Sequence, residues 1–362
     1  MITLSLCMIL RDEEAVLARC LDTVKDVFDE IILADTGSED GTKKIAADYT
    51  DKIYDFIWED DFSAARNFAV SRASKDYWMW LDADDLLSPE ACEKLRRLKA
   101  ELSPETDIVM MPYGAAFDER GRPVFTYYRE RILKNRPQYR FQGRVHEAVV
   151  PSGRIEKADI LVEHRPLKEK QKGRNLRIYE KMKEEGVLFT SRDLYYYGRE
   201  LLENQDYRES EKVLSEFLRR PDGWKEDRIE AARKRAECLW KTGCEEEAAA
   251  ALLSTFLEDI PRAETCCGLG DFFMKKGRYR QAAWWLEQAL QAEKEEDSGA
   301  FVMQDCYGYI PAMNLCVCWD RLGDLEKACR YNELAGRYRP EDGAYLSNRE
   351  YFDRRQNEES GI

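Results

Sequence analysis

The sequence predicts an α/β domain built on a mostly parallel sheet, followed by an all-α array of helical hairpins. Short apolar runs alternate with helical periodicities over roughly the first hundred residues, the pattern of βαβ units. From about residue 188 only helical patterns remain, with small residues recurring in register. The length of 362 residues, with 44% hydrophobic residues, suffices for two domains.

In chain order, Ile2 to Leu10 is an apolar run suited to a buried strand. Glu13 to Val24 places Val16, Leu17, Cys20, Leu21 and Val24 at helical spacing. Glu30 to Ala34 reads as a second strand, Gly41 to Tyr49 as a helix and Lys52 to Trp58 as a third strand. Asp61 to Ala73 reads as a helix with Ser63 as N-cap, and Asp76 to Leu81 as a fourth strand. Polar clusters at Arg11 to Glu14, Asp35 to Ser38 and Asp82 to Asp85 fall at the carboxyl ends of strands, where such sheets bind ligands. Residues 104–165 read as short strands punctuated by Pro, Gly and Arg. Between Glu119 and Arg144, eight Lys or Arg face two Glu, either a solvated face or a rim for a polyanion. Arg165 to Lys183 reads as a basic linker helix, either solvated or in contact with an acidic acceptor.

In the second half, Gly198 and Ser210 are 12 apart, as are Ala236 and Ala248, Gly270 and Ala282, and Cys316 and Ala328. The first three pairs are followed by Leu214, Leu252 and Leu286; the fourth has Asn332 there. Pro221, Pro261 and Pro340 close units, and an insertion spans Glu293 to Gly308. This pattern resembles tetratricopeptide repeats, in which small residues let antiparallel helices approach closely. The expected domains are 1–187, 188–345 and a tail 346–362.

The formal charge of −14 disfavours a nucleic-acid partner, since phosphate binding requires a basic surface. No run of about 18 apolar residues predicts a membrane span. Met1 to Leu10 lacks the features of a signal peptide. Eleven cysteines without a CxxC pair suit a reducing compartment, so a cytoplasmic location is expected.

Alternate carboxylates in Asp82-Ala83-Asp84-Asp85 can aim oxygens into a cleft, where hard cations such as Mg²⁺ or Mn²⁺ keep positions open for phosphates. The alternative is a polar turn leading to the helix at Ser88-Pro89. Together with Ser5 to Glu14, Asp35 to Thr42 and Asp61 to Asn67, this segment resembles family 2 glycosyltransferases of the GT-A fold, and the whole chain is similar in outline to the subgroup with C-terminal tetratricopeptide repeats that includes peptide S-glycosyltransferases. The resemblance implies an inverting enzyme that takes a sugar from a nucleotide-diphosphate donor, UDP-sugar being expected, to a protein, peptide or glycan acceptor selected by the repeats.

By the same resemblance, Asp35 binds the nucleobase, Arg66 contacts the donor nucleotide, and Glu13 lines the first strand end, after Asp12 in place of the family's usual Asn. Asp82 sits by the ribose or the metal, and Asp84 ligates the metal. His164 is either a third metal ligand, a diphosphate contact or a plain strand-end histidine. Glu147 in Gly143 to Ala148 is the candidate general base, with Asp85 the alternative; His146 positions Glu147, touches phosphate or simply packs. Trp78 and Trp80 are expected in the core, and Trp58 is a stacking candidate. Two other functions fit the broad pattern: a binding scaffold with an inactive catalytic domain, and a sugar nucleotidyltransferase. The latter class carries a Gly-rich phosphate loop, which Arg11 to Glu14 lacks.

Overall fold

The computed structural model describes residues 1–118, 120–167, 172–294 and 302–359, in two units, Met1–Leu188 and Phe189–Ile362. Glu119 of the basic stretch, 168–171 of the expected linker helix, 295–301 of the insertion and 360–362 of the expected tail lie outside the described residues.

The first unit runs β1 (Leu4–Leu10), α1 (Leu17–Val24), β2 (Glu30–Asp35), α2 (Thr42–Ala46), β3 (Ile53–Asp55), α3 (Phe62–Ser71), β4 (Tyr77–Trp80), β5 (Asp85–Leu86) and α4 (Pro89–Glu101). It continues with β6 (Ile108–Phe117), β7 (Pro123–Lys134), β8 (Phe141–Gln142), β9 (Ala148–Val149), β10 (Ile155–Lys157), β11 (Val162–His164) and α5 (Arg174–Glu184). Among the described residues the main sheet has nine strands in the order β3-β2-β1-β4-β7-β6-β11-β5, with β10 also on β6. The pairs β1·β2, β2·β3 and β1·β4 are parallel, and β7 is antiparallel to both neighbours. The chain winds outward to β3, then returns to place β4 on the other side of β1. That reversal opens a crevice at the carboxyl ends of β1, β2 and β4.

Why the strands read as unbroken apolar runs is clear from their two faces. Leu4, Leu6, Met8, Leu33, Tyr77 and Met79 enter one core with α1 and α4. Cys7, Ile32, Ala34, Trp78 and Trp80 enter the other, with Ala69 and Val70 of α3 and Phe141 of β8. A sheet covered on both faces needs no polar alternation. Trp78 and Trp80 are therefore core residues.

Three expectations are corrected. Ile108–Phe117 and Pro123–Lys134 pair as two long strands with register shifts, in place of the expected short strands. Ser63 does not cap α3: the Asp61 carboxylate accepts from the Ala64 amide at 2.9 Å. A carboxylate at the N-terminus meets both the orphan amides and the helix dipole. The segment after residue 171 is no solvated linker, because α5 buries Ile178, Tyr179 and Met182 within the first unit.

The second unit pairs α6 (Ser191–Glu203) with α7 (Tyr207–Arg219), and α8 (Lys225–Lys241) with α9 (Glu245–Ser254). It then pairs α10 (Ala263–Lys275) with α11 (Tyr279–Gln291), and α12 (Tyr309–Arg321) with α13 (Leu325–Tyr338), before α14 (Gly343–Glu359). The repeat arithmetic has a steric basis. A Cβ on Gly198 would stand 2.6 Å from Leu214 Cδ2, and one on Gly270 would stand 2.7 Å from Leu286 Cδ2. Ser210 Oγ donates to the Gly198 carbonyl at 2.7 Å. The fourth unit departs for a visible reason: Asn332 is buried and donates to the Tyr345 carbonyl of α14 at 3.2 Å. Most of the stretch expected as a tail is thus helical, with Phe352 buried. Gly270→Val is expected to destabilise the repeats by about 1–3 kcal/mol, read as an earlier unfolding transition in calorimetry; an unshifted transition would contradict the close approach.

Candidate active site

Three of the four non-glycine residues with positive φ among those described lie on loops at the rim beyond the first strands. They are Asp12 (φ 55°) after β1, Asp60 (φ 60°) after β3 and His146 (φ 51°) between β8 and β9. Such conformations cost of order 1–3 kcal/mol each and gather where a site over-determines them.

The turn after β1 is tied to the loop after β2. The Asp12 amide donates to Ser38 Oγ at 3.0 Å and its carboxylate accepts from the Glu39 amide at 2.7 Å. Half-buried Glu13 donates its amide to Thr42 Oγ1 at 2.6 Å, and the Glu14 carboxylate accepts from the Gly41 amide at 2.7 Å. Asp35 ends β2 with its side chain buried. One carboxylate oxygen, Oδ2, accepts from the amides of Gly37 and Ser38 at 3.1 and 3.0 Å, while Lys43 Nζ lies 3.6 Å away. The other oxygen, Oδ1, is buried without a hydrogen-bond partner. Buried acceptors are normally paired, so an open one marks a place for a donor from a ligand.

Arg66 is the hub. It projects from α3, is 7% exposed, and lies 4.7 Å over the Trp80 ring. Its Nη2 meets Asp82 Oδ1 at 2.7 Å and its Nε meets Glu147 Oε1 at 2.5 Å, while Nη1 has no partner. One guanidinium thus joins the end of β4 to the β8–β9 loop. Burial alone would raise the Asp82 carboxyl; the Arg66 charge and hydrogen bond outweigh it and hold the group down at about 2. Asn67, next on α3, makes reciprocal 2.9 Å bonds with the Phe141 backbone and anchors β8.

The expected metal set is regrouped. Asp84, Asp85 and His164 each offer a ligand atom within 4.8 Å of the others, while the Asp82 carboxylate is turned to Arg66. His164 Nδ1 stands 3.3 Å from Asp84 Oδ1 and 3.6 Å from Asp85 Oδ1. Burial would lower this imidazole, but the adjacent carboxylates of Asp84 and then Asp85 push it up to about 9. β11 pairs with β5, His164 opposite Asp85, which is why residues 79 positions apart meet. Two carboxylates and an imidazole fit a divalent cation.

Asp85 is not placed as a base. It is fully buried, accepting from the Asp82 amide at 3.1 Å and from Tyr113 Oη at 3.1 Å, with Arg131 Nη1 at 3.3 Å. With its oxygens engaged by Asp82, Tyr113 and Arg131, it is not placed to take a proton from an acceptor group. Glu147, by contrast, lies in the loop that carries the strained His146. Trp58 donates to Asp60 at 3.1 Å and stands edge-on to Phe62, so its ring serves loop packing.

Sequence reasoning missed Arg129 and Arg131. Their two-residue spacing on β7 puts both on one face, at 4.8 and 3.9 Å from the Trp80 ring that also carries Arg66. Arg131 is wholly buried, with Nε and Nη2 unpaired. The basic stretch is therefore neither a simple solvated face nor a uniform rim. Arg129 and Arg131 turn inward, whereas Arg122 pairs with Asp118 and Arg136 with Asp107.

Residues 5–161, which span this rim almost completely, match the profile of Glycosyl transferase family 2. These residues form a family 2 glycosyl transferase domain. The family 2 domain is 41% identical over 157 residues to a TPR repeat-containing protein of Synechococcus elongatus, a match covering 41% of this chain and 36% of that one. It is 32% identical over 148 residues to the prophage-derived glycosyltransferase SunS of Bacillus subtilis, covering 40% of this chain and 34% of that one. Each match spans about a third of the relative's length. Among solved structures the chain is similar to YrrB, described as a TPR protein with an unusual peptide-binding site, at TM-score 0.37 and 16% identity over 49% of this chain and 82% of that one. Helical hairpins follow the family 2 domain, and no helix among the described residues is long and apolar enough to cross a membrane.

Proposed function

We propose that the chain transfers a sugar from a UDP-sugar to a protein, peptide or glycan acceptor chosen by the repeats, with inversion at the anomeric carbon. The observation that carries this reading is the pairing on one rim of an acid–imidazole group, Asp84, Asp85 and His164, with the Arg66 bridge between Asp82 and Glu147. Asp35, with an open acceptor oxygen beside Lys43, would take a donor N–H of the nucleobase. Glu13 would line the same strand end. Asp84, Asp85 and His164 would hold Mg²⁺ or Mn²⁺, which when bound supplies positive charge to a departing diphosphate. The unpartnered Nη1 of Arg66 offers a further donor to the diphosphate oxygens. His146 would place Glu147, whose carboxylate would take the proton from the acceptor group as the sugar bond forms.

Thermal unfolding with UDP-glucose, with and without Mn²⁺, tests this directly. A ligand at a hundred times its dissociation constant stabilises the native state by about 2.7 kcal/mol. The expected result is a rise in Tm with UDP-glucose that grows with Mn²⁺, and loss of the Mn²⁺-dependent part in Asp84→Ala. A variant that keeps the full Mn²⁺ effect would remove the assignment of the metal site.

A further inference from the structure

Helix α5, read from sequence as a linker, reaches two loops of the rim at once. Lys181 and Glu185 stand four residues apart and so share one side of the helix end. Lys181 Nζ meets Asp60 Oδ2 at 2.6 Å, and Glu185 Oε2 meets Arg144 Nη1 at 2.6 Å. Arg174, at the start of the helix, lies 4.8 Å over the Phe62 ring. The two loops also bond to one another: the Phe62 amide donates to the Arg144 carbonyl at 2.9 Å. Asp60, held at positive φ, has its other carboxylate oxygen bonded to Trp58 Nε1 at 3.1 Å.

The consequence follows along the chain. One residue past Asp60, Asp61 caps the helix that carries Arg66. Three residues past Arg144 comes Glu147. The Arg66–Glu147 bond therefore closes a ring whose other side is clamped by α5. We propose that Lys181 and Glu185 are positioning residues that set the placement of Glu147 against Arg66, an inference that rests on the reading of Glu147 as the base. Both ion pairs are substantially exposed, Lys181 by 44% and Glu185 by 40% on the side chain. Exposed pairs contribute little to global stability. Displacement of a reacting group by about 1 Å, however, can cost large factors in rate. The signature of positioning is thus a fall in turnover without a fall in melting temperature.

The test uses the full chain, with Mn²⁺-supported hydrolysis of UDP-glucose as the readout. Glu185→Arg and Lys181→Met are each expected to lower kcat by about three- to tenfold. KM for UDP-glucose should stay within about twofold and Tm within about 2 °C. The charge swap Arg144→Glu with Glu185→Arg, and the conservative Lys181→Arg, should restore most of the rate. Unchanged kcat, a loss that follows KM, or a loss the swap does not repair would each overturn the proposal. If the wild-type chain does not turn over UDP-glucose, that substrate reading fails separately. Backbone hydrogen exchange over 143–149 then decides the clamp: faster exchange in Glu185→Arg, reversed by the swap, supports it, and equal exchange in all three proteins overturns it.

Discussion

Arg66→Met is expected to eliminate sugar transfer and to lower the melting temperature of the first unit. The side chain is buried between Asp82 and Glu147 and stacked on Trp80, so Met fills the space but removes the cation that bridges the two carboxylates. Breaking a buried ion pair from one side costs about 3–5 kcal/mol; the partial exposure of Asp82, 34% on the side chain, puts this case at the lower end. The pH dependence has a definite sign. A carboxyl held at about 2 contributes stability that is present above its ordinary value near 4 and is lost as pH falls toward 2. Without Arg66, burial pushes the Asp82 carboxyl up instead of down, so protonation relieves the penalty of the buried charge and the stability gap between wild type and variant should narrow as pH falls. Thermal unfolding from pH 3 to 7 reads this shift. Arg66→Lys should rescue neither property, because one ammonium cannot reproduce two separate nitrogens aimed at two acids. Wild-type activity, with wild-type stability at neutral pH, in Arg66→Met would remove the hub from the mechanism.

Glu147→Gln carries the second large effect. The amide keeps the shape and an oxygen for Arg66 Nε, so UDP binding by calorimetry should be unchanged within about twofold. Transfer should fall by about a hundredfold or more, the usual contribution of a positioned base. The comparison isolates the chemical step, since Asp84→Ala disturbs the donor side and Glu147→Gln the acceptor side. Transfer at the wild-type rate would place the base elsewhere, although Asp85 would remain a poor substitute, because Tyr113 and Arg131 enclose it.

Much of this was legible in the chain itself. Apolar runs such as Leu4–Leu10 announce strands covered on both faces, and small residues 12 apart announce hairpins that touch where a Cβ would collide. Local alternation also placed Asp35, Asp82 and Asp84 at strand ends and Arg66 on a helix, whereas Glu147 followed only from the resemblance. Partnership did not follow. That Asp82 faces Arg66 while Asp85 joins Asp84 and His164, that Arg131 lies buried under Trp80, and that Asn332 ties α13 to α14 depend on strands and helices distant in sequence. Periodicity reports which side of its own element a residue occupies. Which of several nearby acids a cation selects is set by long-range pairing, where distances of a few ångströms and the loss of water decide the energy.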